Sequence, residues 1–423
     1  MLHLLFSVSL RAQLDDKEKS ATITALKAIL HKKYVFPEVA ASMSATLDTR
    51  IKDGSFDTIS TRKEFAFQLT RLLQEVSRDQ HLSIAFSPRD TSTRRQRGSA
   101  AEWELQLMKE NNYGIREKKI LPGNIGYLDL PLFGPMSLCR DSITAAMRAI
   151  ANTDALIIDL RSCRGSLDEN TIPFFHSFLF RDSVHITDFY TRENDSTVAY
   201  WTSPSAAPIR YLRPIYVVTS GRTFSGGEAF AYELQQLKRA KIIGEKTRGG
   251  ANPTELERIN DNFTVSVPYA RSINAVSKTN WEGTGVSPDT VVTSNVAVYT
   301  AQLLATTNLA ASATGKNKKI LAILADSLRS NKPVFVKTTF RLRGYENARE
   351  VTVAGSFNSF ARKTFVLKKI NGEWIGETDV PPGEIVYSFI VDGRWIADPA
   401  VPGKKLVNGL ENSYRIVAAE VRR

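Results

Sequence analysis

Between Gly123 and Glu245 the sequence alternates two textures, and this alternation limits the fold more than any other feature. "GNIGYLDLPLF", "DALIIDLR", "RPIYVVTS" and "KIIGE" are short apolar runs of strand length. "SITAAMRAIANT" separates the first two and "GEAFAYELQQLKRA" the last two, each with apolar residues at helical spacing. Strands that alternate with helices predict an α/β layer with at least some parallel pairing.

The flanks differ. Residues 15 to 88 read as helical: "KSATITALKAILHKKYV" and "TRKEFAFQLTRLLQEVSR" repeat apolar residues every three or four positions. A polar stretch, "DTSTRRQRGSAAE", reads as a linker. Past "NFTVSVPYARS" and "WEGTGVSPDTVV" a last helical stretch covers roughly 297 to 330. From 333 to 423, short β-rich runs separated by "NG", "PPG" and "DG" turns predict an antiparallel sandwich. With 423 residues, 42% of them hydrophobic, the chain can bury two or three cores. The expected organisation is a helical subdomain at 14–90, an α/β (α+β) core at 100–300, a helical connector at 301–332 and an all-β sandwich at 333–423.

No apolar run reaches the ~18 residues that cross a bilayer. At the N-terminus, the apolar segment Leu2 to Leu10 followed by "RAQ" reads as a signal-peptide remnant over 1–13, with cleavage near Ala12–Gln13. That reading makes the protein exported, periplasmic or extracellular; the alternative is a frayed apolar start to a cytosolic chain. The net charge is +12, and 19 basic against 11 acidic residues in 315–423 carry +8 of it. These basic residues are scattered among strands without a nucleic-acid motif, so a solvated face is expected and no nucleic-acid partner. Cys139 and Cys163 lie in no CxxC or Cys/His cluster, and whether they pair is left open. The five histidines lack ligand spacing, so neither metal nor cofactor is expected.

Chemistry concentrates in "VVTSGRTFSGGEAFAYELQQLKRAKIIGEKTRGGANP". Ser225 stands where a strand-to-helix turn becomes helix. A serine there can cap the helix, with Glu228 completing a capping box. It can also serve as a nucleophile, with the helix N-terminus stabilising developing negative charge. A nucleophile further needs a base, a group to orient that base, and oxyanion donors.

This segment resembles the nucleophile segment of the tail-specific (C-terminal-processing) serine proteases, the family of the tricorn core protease and interphotoreceptor retinoid-binding protein. Three further segments match in order: "RDQHLSI", "DLRSCRG" and "WEGTGVSPD". The N-terminal helical region and "NNYGIREKKILPGNIGYLDL" are similar to the retinoid-binding-protein branch. The resemblance implies that Ser225 is the nucleophile and that the backbone amides of Gly226 and Gly165 form the oxyanion hole. Bacterial members place a lysine base where this chain has Gly250, and Lys246 is a poor substitute. The tricorn-like branch implies His81 as general base and Glu282 as its orienter, the division of labour of a hydrolytic triad. Without the motifs, His81 would read as a surface or packing residue, Glu282 as a turn residue, and Asp159 with Arg161 as a structural pair. Cys163 and Ser166 depart from the family's Asn and Gly, and Gln80 and Ser83 do not reproduce the serine beside the tricorn-like histidine. No PDZ-like insertion is present.

The C-terminal region resembles the glycogen-binding module of the AMP-activated kinase β subunit, an immunoglobulin-like (early-set) sandwich. Trp395 and Asn412 match sugar-platform positions; Phe360 stands at a tryptophan position and Ser388 at a lysine position. Trp374 and Tyr387 read equally well as core. Three readings follow: a serine endopeptidase acting on a peptide or protein substrate, a non-catalytic binder of a small apolar ligand or peptide, and a glycan-targeted protein that uses the sandwich.

Overall fold

A computed structural model of the chain describes residues 14–88, 100–407 and 409–419. The proposed signal-peptide remnant and most of the linker lie outside the described residues. The chain divides into two compact units. One joins residues 14–88 to Thr187–Ala199 and Gly250–Gly283; the other comprises 100–186, Tyr200–Gly249 and the chain from Thr284 onward.

In the first unit, helices Asp16–Lys33, Pro37–Lys52 and Arg62–Ser77 begin on sequence-encoded starts. The Asp15 carboxylate accepts from Glu18 N–H at 2.7 Å, Pro37 occupies the first helical turn, and Thr61 Oγ1 accepts from Glu64 N–H at 3.3 Å. Their apolar stripes, including Leu26, Leu30, Met43, Leu47, Phe65 and Leu69, bury against Phe263, Val265 and Val267. Those three alternate residues lie on strand Phe263–Pro268, which pairs antiparallel with Ser83–Phe86 on one side and Thr254–Arg258 on the other. The helical segment predicted from the sequence thus draws its sheet from residues about 180 positions downstream.

The second unit is built on a six-stranded sheet in the order Thr290–Val291, Ala240–Gly244, Ile215–Thr219, Ala155–Asp159, Ile125–Asp129, Glu117–Leu121. The first five are parallel and Glu117–Leu121 is antiparallel, as the strand–helix alternation requires. Ala297, Ala301 and Ala305, one turn apart on helix Ser294–Ser312, bury onto Tyr127, Ile157 and Val218 of the sheet. Helix Gly315–Ser330 packs on Ser294–Ser312. The sandwich pairs Val336–Leu342, Glu373–Val380 and Lys368–Ile370 in one sheet against a five-stranded second sheet. Its core contains Phe340, Phe389, Tyr387 and Trp374. Among the described residues no helix is long and apolar enough to cross a membrane.

Candidate functional site

The carboxyl ends of the parallel strands Ala155–Asp159 and Ile215–Thr219 lead into the two loops that carry the sequence-assigned groups of the second unit, the usual place for chemistry in open α/β sheets. Ser225 opens helix Gly226–Gln236 with φ 54° and ψ −120°. An N-cap ordinarily takes extended backbone. Left-handed φ in a residue with a Cβ costs roughly 1–3 kcal/mol and persists only where the surroundings enforce it.

Glu228 supplies much of that enforcement. It is fully buried, and its Oε2 accepts from Ser225 N–H at 2.9 Å. Its Oε1 accepts from the Thr247 hydroxyl at 2.5 Å and from Gly249 N–H at 2.6 Å. The residue that reads as half of a capping box therefore ties the serine turn to the following strand's exit loop.

The loop 163–166 lies against the serine. A Cβ on Gly165 (φ 133°) would stand 3.0 Å from Ser225 Cβ and 3.4 Å from Oγ. A Cβ on Gly226 would stand 2.7 Å from Ser166 N, and one on Gly227 would stand 2.9 Å from Cys163 Sγ. Glycine is needed at all three positions for two backbones to approach this closely. The departures at Cys163 and Ser166 are absorbed locally. Cys163 is buried beneath Gly227, and burial pushes its thiol up to about 12. Ser166 Oγ donates to Asp168 O at 2.7 Å. Both cysteines are free. Gly250 has no side-chain amine, and Lys246 is exposed. Asp159 accepts from Arg161 Nη2 at 2.7 Å and from the Tyr127 hydroxyl at 2.8 Å, while Arg161 Nη1 donates to Ser294 O at 2.7 Å. That is a structural knot.

In the first unit, Arg78 adopts the left-handed conformation (φ 58°) that ends helix Arg62–Ser77 and turns the chain into Asp79, Gln80 and His81. His81 is 10% exposed on its side chain. Ligand atoms of Asp79, His81 and Glu282 all lie within 4.8 Å of one another, with His81 Nδ1 3.9 Å from Asp79 Oδ1. Glu282 Oε2 accepts from Ala251 N–H at 2.5 Å and Asn252 N–H at 3.2 Å. The Asn252 side chain donates to Asp79 Oδ2 at 2.9 Å, so one asparagine fixes both carboxylates. Burial pushes the Asp79 carboxyl up, against the opposing pull of the Asn252 amide. Sequence reasoning treated Asp79 only as part of a motif and missed Asn252. An imidazole flanked by two anchored carboxylates is suited to accept a proton and to be stabilised as the imidazolium.

Of the sandwich residues, Trp395 is half-buried, with the Arg362 guanidinium 5.5 Å from its ring centroid. Phe360 is half-buried at φ 56°. Asn412 is 2% exposed; it accepts from the Ser388 hydroxyl at 2.9 Å and donates to Leu410 O at 2.8 Å, so both ends of its amide are bound within the sheet. Trp374 and Tyr387 are core: Trp374 Nε1 donates to Tyr345 O at 3.0 Å, and the Tyr387 hydroxyl donates to Asp398 at 2.6 Å.

Comparison with known proteins matches residues 124–292 to peptidase family S41. Residues 12–116 match the N-terminal domain of Peptidase_S41 in eukaryotic IRBP, and 336–421 the glycogen recognition site of AMP-activated protein kinase. The human 5'-AMP-activated protein kinase subunit beta-2 is 34% identical over 86 residues, which are 20% of this chain and 31% of that protein. This chain therefore spans under a third of that relative. Among solved structures, the photosystem II D1 C-terminal processing protease is similar at 15% identity and TM-score 0.41, covering 67% of this chain and 95% of its own. Mature CPAF is similar at 12% identity and TM-score 0.44, covering 74% and 99%.

Proposed function

Taking as premise that this chain carries a peptidase family S41 domain with a glycogen-recognition-like module behind it, we propose that it is a serine endopeptidase working through Ser225, His81 and Glu282. The single observation that supports this most is the left-handed backbone of Ser225, pressed against Gly165 and held by the buried Glu228. Capping alone does not require it.

In this reading His81 takes the Ser225 proton as Oγ attacks the scissile carbonyl carbon. The N–H groups of Gly226 and Gly165 stabilise the resulting oxyanion. The imidazolium returns its proton to the leaving amine, an acyl-enzyme remains, and water activated by the same imidazole releases it. Glu282, anchored by two backbone N–H groups, orients the imidazole, and Asp79 adds a second carboxylate on the same ring. The substrates are peptides or unfolded proteins, in keeping with the export read from the N-terminus. A fluorophosphonate probe should label the folded chain at pH 7 to 8 and fail on Ser225→Ala and His81→Ala. Folded wild-type protein that resists labelling would return the chain to the non-catalytic binding reading.

For the sandwich, docking within the unit is better supported than glycan capture, because Asn412 is buried and Arg362 covers one face of Trp395. Unretarded migration in glycogen or amylose gels is expected; retardation abolished by Trp395→Ala would reverse this.

A further inference from the structure

Within the second unit, a loop of the sandwich is seated on the turn that leads to Ser225. Strand Ile215–Thr219 runs into Ser220, Gly221 and Arg222, and the serine follows three residues later. Gly221 does not have a left-handed φ, so its backbone would accept a side chain. The sandwich is what excludes one. A Cβ on Gly221 would overlap Thr364 Cγ2 and stand 3.2 Å from Ala361 Cβ. Beside it, Arg222 Nη1 donates to Ser359 O at 3.4 Å. The loop 359–364 also carries Phe360, the residue at the sugar-platform position.

This loop is held in shape from within the sandwich. Ser359 and Phe360 take left-handed backbone, at φ 53° and 56°. The buried Asn358 side chain accepts from Gly355 N–H at 2.8 Å and donates to Val353 O at 2.9 Å and to Thr364 Oγ1 at 3.3 Å. Thr352 Oγ1 donates to Arg362 O at 2.6 Å. A loop fixed in this way by its own sheet transmits a push rather than absorbing it.

The turn it rests on is fixed as firmly. One oxygen of the Glu245 carboxylate accepts from Gly221 N–H at 3.1 Å, and the other accepts from Ser294 N–H at 2.9 Å. Ser220 Oγ donates to Arg161 O at 2.7 Å, and Thr223 Oγ1 donates to Leu160 O at 2.8 Å. Phe224 N–H donates to Cys163 O at 3.1 Å. Residues 220–224 are therefore stitched to 160–163, the segment that leads to Gly165. A displacement at Gly221 reaches Ser225 and the loop pressed against it together.

We propose that the loop 359–364 is a positioning element for Ser225: through Gly221 the sandwich fixes the turn 220–224, so the reactivity of the serine depends on the sandwich being seated. The module that resembles a glycogen-recognition site then works as a structural part of the peptidase unit. This rests on the peptidase reading for the reactivity it controls, and the test separates the two.

The test is a wedge and its relief. Gly221→Ala adds the overlapping methyl group, and Thr364→Ser removes Cγ2 while keeping the hydroxyl that accepts from Asn358. In folded Gly221→Ala the maximal rate of fluorophosphonate labelling should fall by about 10- to 10²-fold, the cost of misplacing a reacting group by up to about 1 Å. The half-saturating probe concentration should stay within about threefold, because binding is not what the wedge removes. The double variant should label within about threefold of Thr364→Ser alone, since the two sites act through one contact. A general loss of stability would not give that recovery. Hydrogen exchange over residues 215–225 should follow the same pattern, faster with the wedge and restored by its relief. Labelling and exchange both unchanged by Gly221→Ala, or a loss that Thr364→Ser does not restore, would overturn the proposal. Wild-type protein that resists the probe would instead remove the peptidase reading, and exchange alone would then decide whether the sandwich holds the turn. If Gly221→Ala does not fold, Ala361→Gly thins the same contact; faster exchange over residues 215–225 is expected, and unchanged exchange overturns the seat.

Discussion

Glu228 is the most exacting place to test the link between backbone and chemistry. If it merely caps its helix, Glu228→Ala should cost about 1 kcal/mol. As a buried hub it leaves three donors unpaired, those of Ser225, Thr247 and Gly249. Each buried donor without a partner costs about 1–3 kcal/mol. The Thr247 hydroxyl can rotate and water can enter the space, so about 3–5 kcal/mol is expected. Hydrogen exchange over residues 215–250 reads this as local opening. Exchange in Glu228→Ala should be at least roughly 10²-fold faster, against about fivefold for a lost cap. Probe labelling of Ser225 should fall with it, because the carboxylate that receives Ser225 N–H and helps hold φ at 54° is gone. Glu228→Gln separates the halves: its oxygen can keep Thr247 and Gly249 while its NH₂ opposes Ser225 N–H, giving slowed labelling with a smaller stability loss. Exchange accelerated less than tenfold, with labelling intact in the alanine variant, would refute the hub.

Three further outcomes are expected. On the proposed catalytic reading, Gly165→Ala should lower the probe-labelling rate by about 10²- to 10³-fold, since its Cβ meets Ser225 and displaces the proposed oxyanion donor; circular dichroism should show the fold retained. Burial holds the Glu233 carboxyl protonated well above its usual range beside His176, whose own burial drops it to about 3. The native chain therefore keeps a Glu233 proton that the unfolded chain releases near pH 4.5, so Glu233 contributes a loss of stability as pH rises above that value, while His176, held neutral, contributes the opposite between about 3 and 6.5. Glu233→Gln should then raise Tm by about 2–4 °C more at pH 8 than at pH 4 in thermal scans. Finally, buried Cys139 and Cys163, whose thiols burial pushes up to about 11 and about 12, should resist a thiol reagent at pH 8 in the native chain and react as two groups once it is unfolded.

Much of this was legible because it is local. Strand–helix alternation forecasts the parallel order of the central strands, and "NG", "PPG" and "DG" mark turns of a sandwich. Ser225 stands out by its place at a strand-to-helix turn. What stayed hidden depends on distant partners. Nothing near Ser83–Phe86 announces that it pairs with Phe263–Pro268. Asn252 is an ordinary loop residue until Asp79 and Glu282 are both beside it. Glu228 resembles any third-position glutamate of a helix. Their meaning comes from the burial of neighbours that the linear pattern does not bring together.

The threading of the first unit bears on how the chain is made. Its helices emerge first from the ribosome, yet the strand that covers Leu26, Phe65 and Leu69 starts at Phe263, well over a hundred residues behind each of them. Until residue 283 is synthesised, the apolar stripes lack their cover and His81 lacks Glu282. Long-range closure of this kind generally slows folding, and transiently exposed apolar surface favours aggregation. It also sets an order of assembly: on the proposed catalytic reading, Ser225 and His81 are both synthesised before Glu282, the last of the three to emerge.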